Sequence, residues 1–304
     1  MEDRVVAAEK ADLEELGHIP IDDVMATMDG DVPGYRDLYY LWERQQWESG
    51  TIDLSDDRRQ WVEDLSPELR RSLQWTIGSF FVGEEEVTKN LAPFVDASPR
   101  EEQAVFLTTQ LADGARHTVF VDRFHSEVIE GRGDGMMTHP ERRSQRPNPS
   151  LRTLVSEMLP EAADRIRRGK ESVAALVEGV VLYHIVIEAC VVLTARRFLL
   201  GYLREQGLLQ GLREGLTAMA RDESRHVTFA VRFLKDMVEL DPNSAQVVRG
   251  TLARALPVAL TALQPPGGDP SFFEPFPFGP GDLTAFARES LGKRLSAIGA
   301  ELAA

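Results

Sequence analysis

Apolar residues recur at spacings of three and four along most of the chain, while alternating β-type runs with hairpin turn signals are scarce. The pattern predicts an all-α protein with helices over about 36–48, 66–95, 100–130, 150–166, 171–206, 209–239, 243–262 and 282–302. Four of these are long, and long helices with short connections suit an antiparallel bundle whose sites are built from inward-facing side chains. The run 180–194 is apolar on nearly every side, which marks a helix surrounded by protein. His184 and Glu188 interrupt it and it is shorter than the ~20 residues of a membrane span, so no span is expected.

Two segments break the helical pattern. Residues 131–150 carry Gly131, Gly133, Gly135, Pro140, Pro147 and Pro149, a long surface connection over one end of the bundle. Residues 264–281 are rich in proline and glycine and hold Phe272, Phe273, Phe276 and Phe278, an arm whose aromatic rings must pack on something and which reads as a strap against the bundle. The rest reads as a single helical domain over 1–304, and the acidic, weakly patterned stretch to about residue 30 suggests no function.

Composition narrows the partners. With 34 basic against 49 acidic residues the net charge is −15, which disfavours a phosphate backbone or an anionic membrane and leaves nucleic acid out. Cys190 is the only cysteine, so neither a disulfide framework nor a cysteine zinc site is available, and a reducing cytoplasm fits. Met1-Glu2-Asp3-Arg4 lacks the start of a signal peptide.

The chemistry concentrates in Glu223-Ser224-Arg225-His226, because Glu and His three apart on a helix face the same way and can grip one metal ion. About a hundred residues earlier, Asp113-Gly114-Ala115-Arg116-His117 has the histidine but a glycine three before it. Glu188 lies in the apolar helix, where an ionised carboxylate needs a metal or an arginine such as Arg196 or Arg225 to compensate it. Of the acids Glu84, Glu85 and Glu86, Glu84 shares a face with Val87 and Thr88, and the other two read as solvated. Glu84, His117, Glu188, Glu223 and His226 thus come from four separate helices, as in dinuclear carboxylate proteins. Carboxylate and imidazole without thiolate suit iron or manganese. Asp222 is either a surface carboxylate or the acceptor of a ligand histidine's N–H. His184, four before Glu188, is a rival ligand or a core histidine. His18, His125 and His139 receive no role.

These residues resemble the ligand-binding oxidases that share the ferritin-like fold of the ribonucleotide reductase small subunit. The resemblance rests on Trp42-Glu43-Arg44-Gln45-Gln46-Trp47, Val82-Gly83-Glu84-Glu85-Glu86-Val87-Thr88, Ala115-Arg116-His117-Thr118, Tyr183 five before Glu188, and Asp222-Glu223-Ser224-Arg225-His226, over residues 36–235. It implies a ferritin-like four-helix bundle with additional helices, a homodimer, a manganese–iron centre and a long-chain fatty acid bound beside it. It also implies an oxidase or oxygenase activity in which oxygen activation links Val87 to Tyr183 covalently; without the resemblance these two are a packing valine and a buried tyrosine.

The departure is Gly114, where the resemblance implies a glutamate bridging both metals. Asp113 is a candidate substitute ligand, although one residue is about 100° of helix rotation and the swap needs local unwinding. Without the bridge, one site keeps Glu84 and His117 and the other keeps Glu188, Glu223 and His226. The second metal is then lost, or an outside anion fills position 114 as in mononuclear iron halogenases, or redox chemistry has been given up. A metal-dependent oxidase acting on an apolar organic acid is the leading reading, with a single-iron oxygenase or halogenase and a non-catalytic lipid carrier as alternatives. A radical-generating reductase subunit is disfavoured, since none of the five tyrosines follows Tyr202.

Overall fold

Ser66 and Pro67 show how locally the helices are written: the Ser66 hydroxyl accepts the Leu69 N–H at 3.2 Å and proline occupies the first helical position, where its missing N–H costs nothing. The computed structural model, described over residues 32–132, 148–170 and 172–300, is helical in all its regular elements. In chain order these are α1 (Tyr35–Arg44), α2 (Ser55–Glu63), α3 (Pro67–Asn90), α4 (Ala92–Asp96) and α5 (Glu101–Arg123, prolonged by a π-helical Phe124–Glu130). Next comes α6 (Pro149–Arg152, π-helical Thr153–Met158, Leu159–Arg168), then α7 (Val173–Val180, π-helical Val181–Val192, Leu193–Glu205). The chain ends with α8 (Gln210–Leu240), α9 (Asn243–Ala262) and α10 (Pro280–Ile298).

The bundle core is α3, α5, α7 and α8: α3 packs on α5, α5 on α8 and α8 on α7. Around it, α9 and α10 cover α7, and α1 lies across α5 and α8. The helix Val173–Glu205 is long and apolar enough to cross a membrane, yet its apolar window is 89% buried within the protein, which makes it the core helix expected from its all-round hydrophobicity.

The apolar interior falls into two main bodies with a polar layer between them. One contains Val87, Leu107, Val191 and Phe229, the other Phe81, Phe120, Leu199 and Met219. On α3, α5 and α8 the switch between them brackets Glu84, Asp113 to His117, and Asp222 to His226, while on α7 it brackets Arg196, with Glu188 about one turn before the switch begins.

The structure departs from the predicted elements in two places. The stretch predicted as 66–95 breaks at Leu91, because Pro93 lacks an N–H and disfavours helical geometry before it. Helix α2 was not predicted, since its sequence buries only Asp57 and Trp61 and shows no stripe. Asp57 has a use there: its carboxylate accepts the Gly211 and Leu212 N–H groups at 2.9 and 2.7 Å and so caps the start of α8 from a neighbouring helix. The arm lies on the bundle as a strap. Phe272 packs edge-on against Trp75, Phe278 against Phe198 and Phe276 against Tyr202. Most of the 131–150 connection, the stretch to residue 30, His18 and His139 lie outside the described residues.

Candidate metal centre

Helix α3 delivers Glu84 to the polar layer, α5 delivers Asp113 and His117, α7 delivers Tyr183, Glu188 and Arg196, and α8 delivers Asp222, Glu223, Arg225 and His226; all are buried. The two histidines stand in matching settings. His117 has Nδ1 3.3 Å from Glu84 Oε2 and Nε2 3.1 Å from Asp222 Oδ2. His226 has Nδ1 2.9 Å from Glu188 Oε1 and Nε2 3.1 Å from Asp113 Oδ2. Each ring therefore faces a glutamate on one nitrogen and an aspartate from the opposite helix on the other. Each aspartate also takes an indole N–H, from Trp42 to Asp113 at 2.9 Å and from Trp47 to Asp222 at 2.7 Å. Arg225 touches both, at 3.3 Å to Asp113 and 2.5 Å to Asp222. An aspartate on Nε2 holds that nitrogen protonated and leaves the Nδ1 lone pair on the glutamate side for a cation, which is how ligand histidines are oriented.

This geometry corrects the sequence reading of Asp113. Its carboxylate lies against Nε2 of His226, Trp42, Arg116 and Arg225, on the opposite ring nitrogen from Glu188. Helix α5 runs on regularly through residues 113–117, so the rotation of about 100° between neighbours keeps Asp113 out of position 114. It cannot substitute for a ligand there. Asp222, by contrast, is fully buried, with its carboxylate on His117.

Glu188 pairs with neither arginine. Its Oε1 accepts the Tyr183 hydroxyl at 3.0 Å and lies beside His226. In an α-helix, residues five apart point about 140° away from each other, but Val181–Val192 is π-helical, and its i to i+5 register stacks Tyr183 over Glu188. The same register turns His184 aside: its Nε2 meets Gln110 Oε1 at 2.9 Å, and burial holds it well below the usual histidine range. The rival ligand is a core histidine. His125 sits beside Glu130 on the π-helical end of α5, away from this layer.

Arg196 is the residue whose place sequence did not show. Fully buried, it reaches Glu84 Oε1 at 3.3 Å and forms a close ion pair with Glu223 Oε1. Glu223 also groups differently from its spacing on α8. Ligand atoms of Glu84, His117 and Glu223 all lie within 4.8 Å of one another, whereas sequence assigns Glu223 to the site of Glu188 and His226.

A divalent cation fits this donor set. Glu188 Oε2 and Glu223 Oε2 are buried without a hydrogen-bond partner, which is costly for carboxylates unless a cation meets them. Burial pushes the Glu223 carboxyl up to about 8, against the pull of Arg196. For Glu84 burial acts the same way, but His117 and Arg196 outweigh it and bring the carboxyl down to about 2. Burial would lower both imidazoles, yet the carboxylates beside them raise His117 to about 10 and His226 to about 9.

An apolar pocket opens onto the same layer. Glu84, Glu188 and Glu223 line it together with Gly83, Val87 and Tyr183, and Phe272, Phe273, Phe276 and Phe278 of the arm contribute to its largely apolar wall. Solved structures show the same fold. A variant of an R2-like ligand-binding oxidase with an aerobically reconstituted Mn/Fe cofactor matches with a TM-score of 0.73 and 23% identity, over 90% of this chain and 96% of its own. Another variant of that oxidase, with an anaerobically reconstituted Mn/Fe cofactor, matches with a TM-score of 0.74 and 23% identity over 91% and 97%. The profile of the family described as "Ribonucleotide reductase, small chain" matches residues 28–258, three quarters of the sequence with the whole polar layer inside it, and the chain belongs to that family.

Proposed function

We propose that the chain is a metal-dependent oxidoreductase, an oxidase or oxygenase that activates O2 at a Mn/Fe or iron centre beside a bound long-chain fatty acid or another apolar organic acid. The observation that carries the reading is the pocket, a mostly apolar cavity whose lining includes the buried carboxylates Glu84, Glu188 and Glu223. Glu84, His117 and Glu223 are the proposed ligands, with Glu188 and His226 as further candidates for the centre. The related structures, R2-like ligand-binding oxidases with a Mn/Fe cofactor, support both halves of the proposal.

Bound manganese or iron would supply the electrons and the Lewis acidity for oxygen reduction. The chain's own residues arrange the rest. Asp113 and Asp222 hold the two imidazoles, and the arm and the walls of α3, α7 and α9 exclude water and seat an alkyl chain. Tyr183 keeps its hydroxyl on Glu188, and burial and the neighbouring carboxylates push that hydroxyl well above its ordinary range, so it stays protonated. Val87 lines the same pocket, and these two are the pair proposed to become linked. The proposal includes a cytoplasmic homodimer, which light scattering on the purified protein tests for assembly.

The test is to load the protein anaerobically with ferrous iron and manganese, admit air, and record oxygen uptake while an organic extract is read by mass spectrometry. The expected result is metal-dependent uptake, an apolar acid in the extract, and a Val87–Tyr183 peptide pair two hydrogen atoms lighter than its separate parts. No uptake and no retained acid would sink the proposal.

A further inference from the structure

We infer that Arg196 is a built-in cation that takes the place of one metal charge, so that the centre holds a single divalent ion, seated on Glu84, His117 and Glu223. This rests on the reading of the polar layer as a metal centre.

Arg196 is fully buried, contacts Glu84 and Glu223 together, and has the Phe80 ring 5.1 Å from its guanidinium carbon. A guanidinium does not lose its proton in a protein, so the charge is permanent. Moving it off the two carboxylates would strand it among apolar neighbours, since Ala195 and Leu199 on the same helix face the pocket. It is a fixed part of the layer.

The charges then close around one ion. Outside the histidines, Asp113 and Asp222 are met by Arg116 and Arg225. Inside them stand three carboxylates, Glu84, Glu188 and Glu223. With both imidazoles neutral, one divalent ion together with Arg196 balances those three, whereas two divalent ions would leave a buried excess of two positive charges, to which a protonated His226 would only add. Position 114 is a glycine and brings no further carboxylate, and the buried Asp113 is engaged on the far nitrogen of His226.

Location follows from which donors gather. Glu84, His117 and Glu223 offer three ligand atoms within 4.8 Å of one another. Glu188 and His226 instead face each other at 2.9 Å, with Tyr183 closing the group, and remain a hydrogen-bonded set beside the ion.

The experiment counts metal ions per chain by elemental analysis after reconstitution with ferrous iron and manganese and removal of loose ions. It compares the wild type with Arg196→Met and Arg196→Lys, and follows manganese affinity by calorimetry in His117→Gln and His226→Gln. The inference expects one ion in the wild type and in Arg196→Lys, which keeps the charge, and a second ion in Arg196→Met, which removes it. It also expects His117→Gln to lose affinity by tenfold or more and His226→Gln to lose clearly less. Two ions in the wild type overturn the inference while leaving the metal centre standing, and so does a larger loss in His226→Gln than in His117→Gln. No ion in any protein overturns both. Should Arg196→Met fail to fold, the wild-type count and the two histidine variants decide.

Discussion

Thr88 stands over Gly114: its hydroxyl, which donates to the Glu84 carbonyl at 2.8 Å, lies 2.5 Å from where a Cβ on residue 114 would sit, and its own Cβ lies 3.7 Å from that point. The glycine is therefore held by a single rotatable oxygen rather than by backbone. Gly114→Ala should cost about 1–2 kcal/mol through overpacking, despite the better helix propensity of alanine. With Thr88→Ala in the same chain the cost should vanish, and the double variant should equal or exceed Thr88→Ala in stability. Urea unfolding of the four proteins measures the coupling, and strictly additive effects would show that the contact does not matter.

Asp113 and Asp222 act on each other's helix, Asp113 of α5 on His226 and Asp222 of α8 on His117. Asp222→Asn keeps the shape but no longer holds the imidazole N–H by charge, so metal affinity should fall about 10- to 100-fold. Asp113→Asn should weaken binding less if His226 stands beside the ion rather than on it. Calorimetric titration with manganese reads both, and unchanged affinity in Asp222→Asn would remove that residue from the centre.

Acid–base behaviour gives a third expectation, for protein stripped of metal with a chelator. His117 and His226, raised from 6.5 to about 10 and about 9, bind protons more tightly folded than unfolded. The stability they contribute is complete below about pH 6.5 and is lost as pH rises through the folded values. Glu223, raised from 4.5 to about 8, has the same sign, its contribution fading from 4.5 upward. Glu84, brought down to about 2, has the opposite sign but acts only below pH 4.5. Thermal unfolding temperature should thus fall between pH 6.5 and 9.5, and a metal that displaces these protons should flatten the decline. A rising or level profile without metal would contradict the assignment.

What sequence could and could not reveal divides along physical lines. Helices with an apolar stripe, such as α8 and α9, declare their length, because burial of one face is what makes them fold. Helix α2 does not, because it is held by Trp61 and by the Asp57 cap on α8 rather than by a stripe. The carboxylate and histidine pairs on α8 and across α3, α5 and α7 are legible as spacing. The meeting of Tyr183 with Glu188 is not, since the continuous apolar run 181–192 carries no periodicity from which a π-helical register could be told. Arg196 is hidden for another reason. An arginine in a helix usually reads as surface, and only the packing of four helices shows this one to be fully buried between Glu84 and Glu223.

Gly83 offers the cleanest separation of pocket from fold. It lies one residue before Glu84, is buried, and lines the pocket, yet a Cβ built on it meets nothing within 4 Å. A larger side chain there grows into the channel instead of into a neighbouring helix. Gly83→Ala should stabilise the protein by up to about 1 kcal/mol, the ordinary gain of alanine over glycine inside a helix. Gly83→Leu should keep the fold while filling the channel beside the carboxylates, so an apolar acid retained by the wild type should be absent from its extract and metal binding should persist. Mass spectrometry of the extract, run beside thermal unfolding and metal analysis, separates the outcomes. Wild-type levels of the same acid in a folded Gly83→Leu protein would mean that this pocket does not hold it.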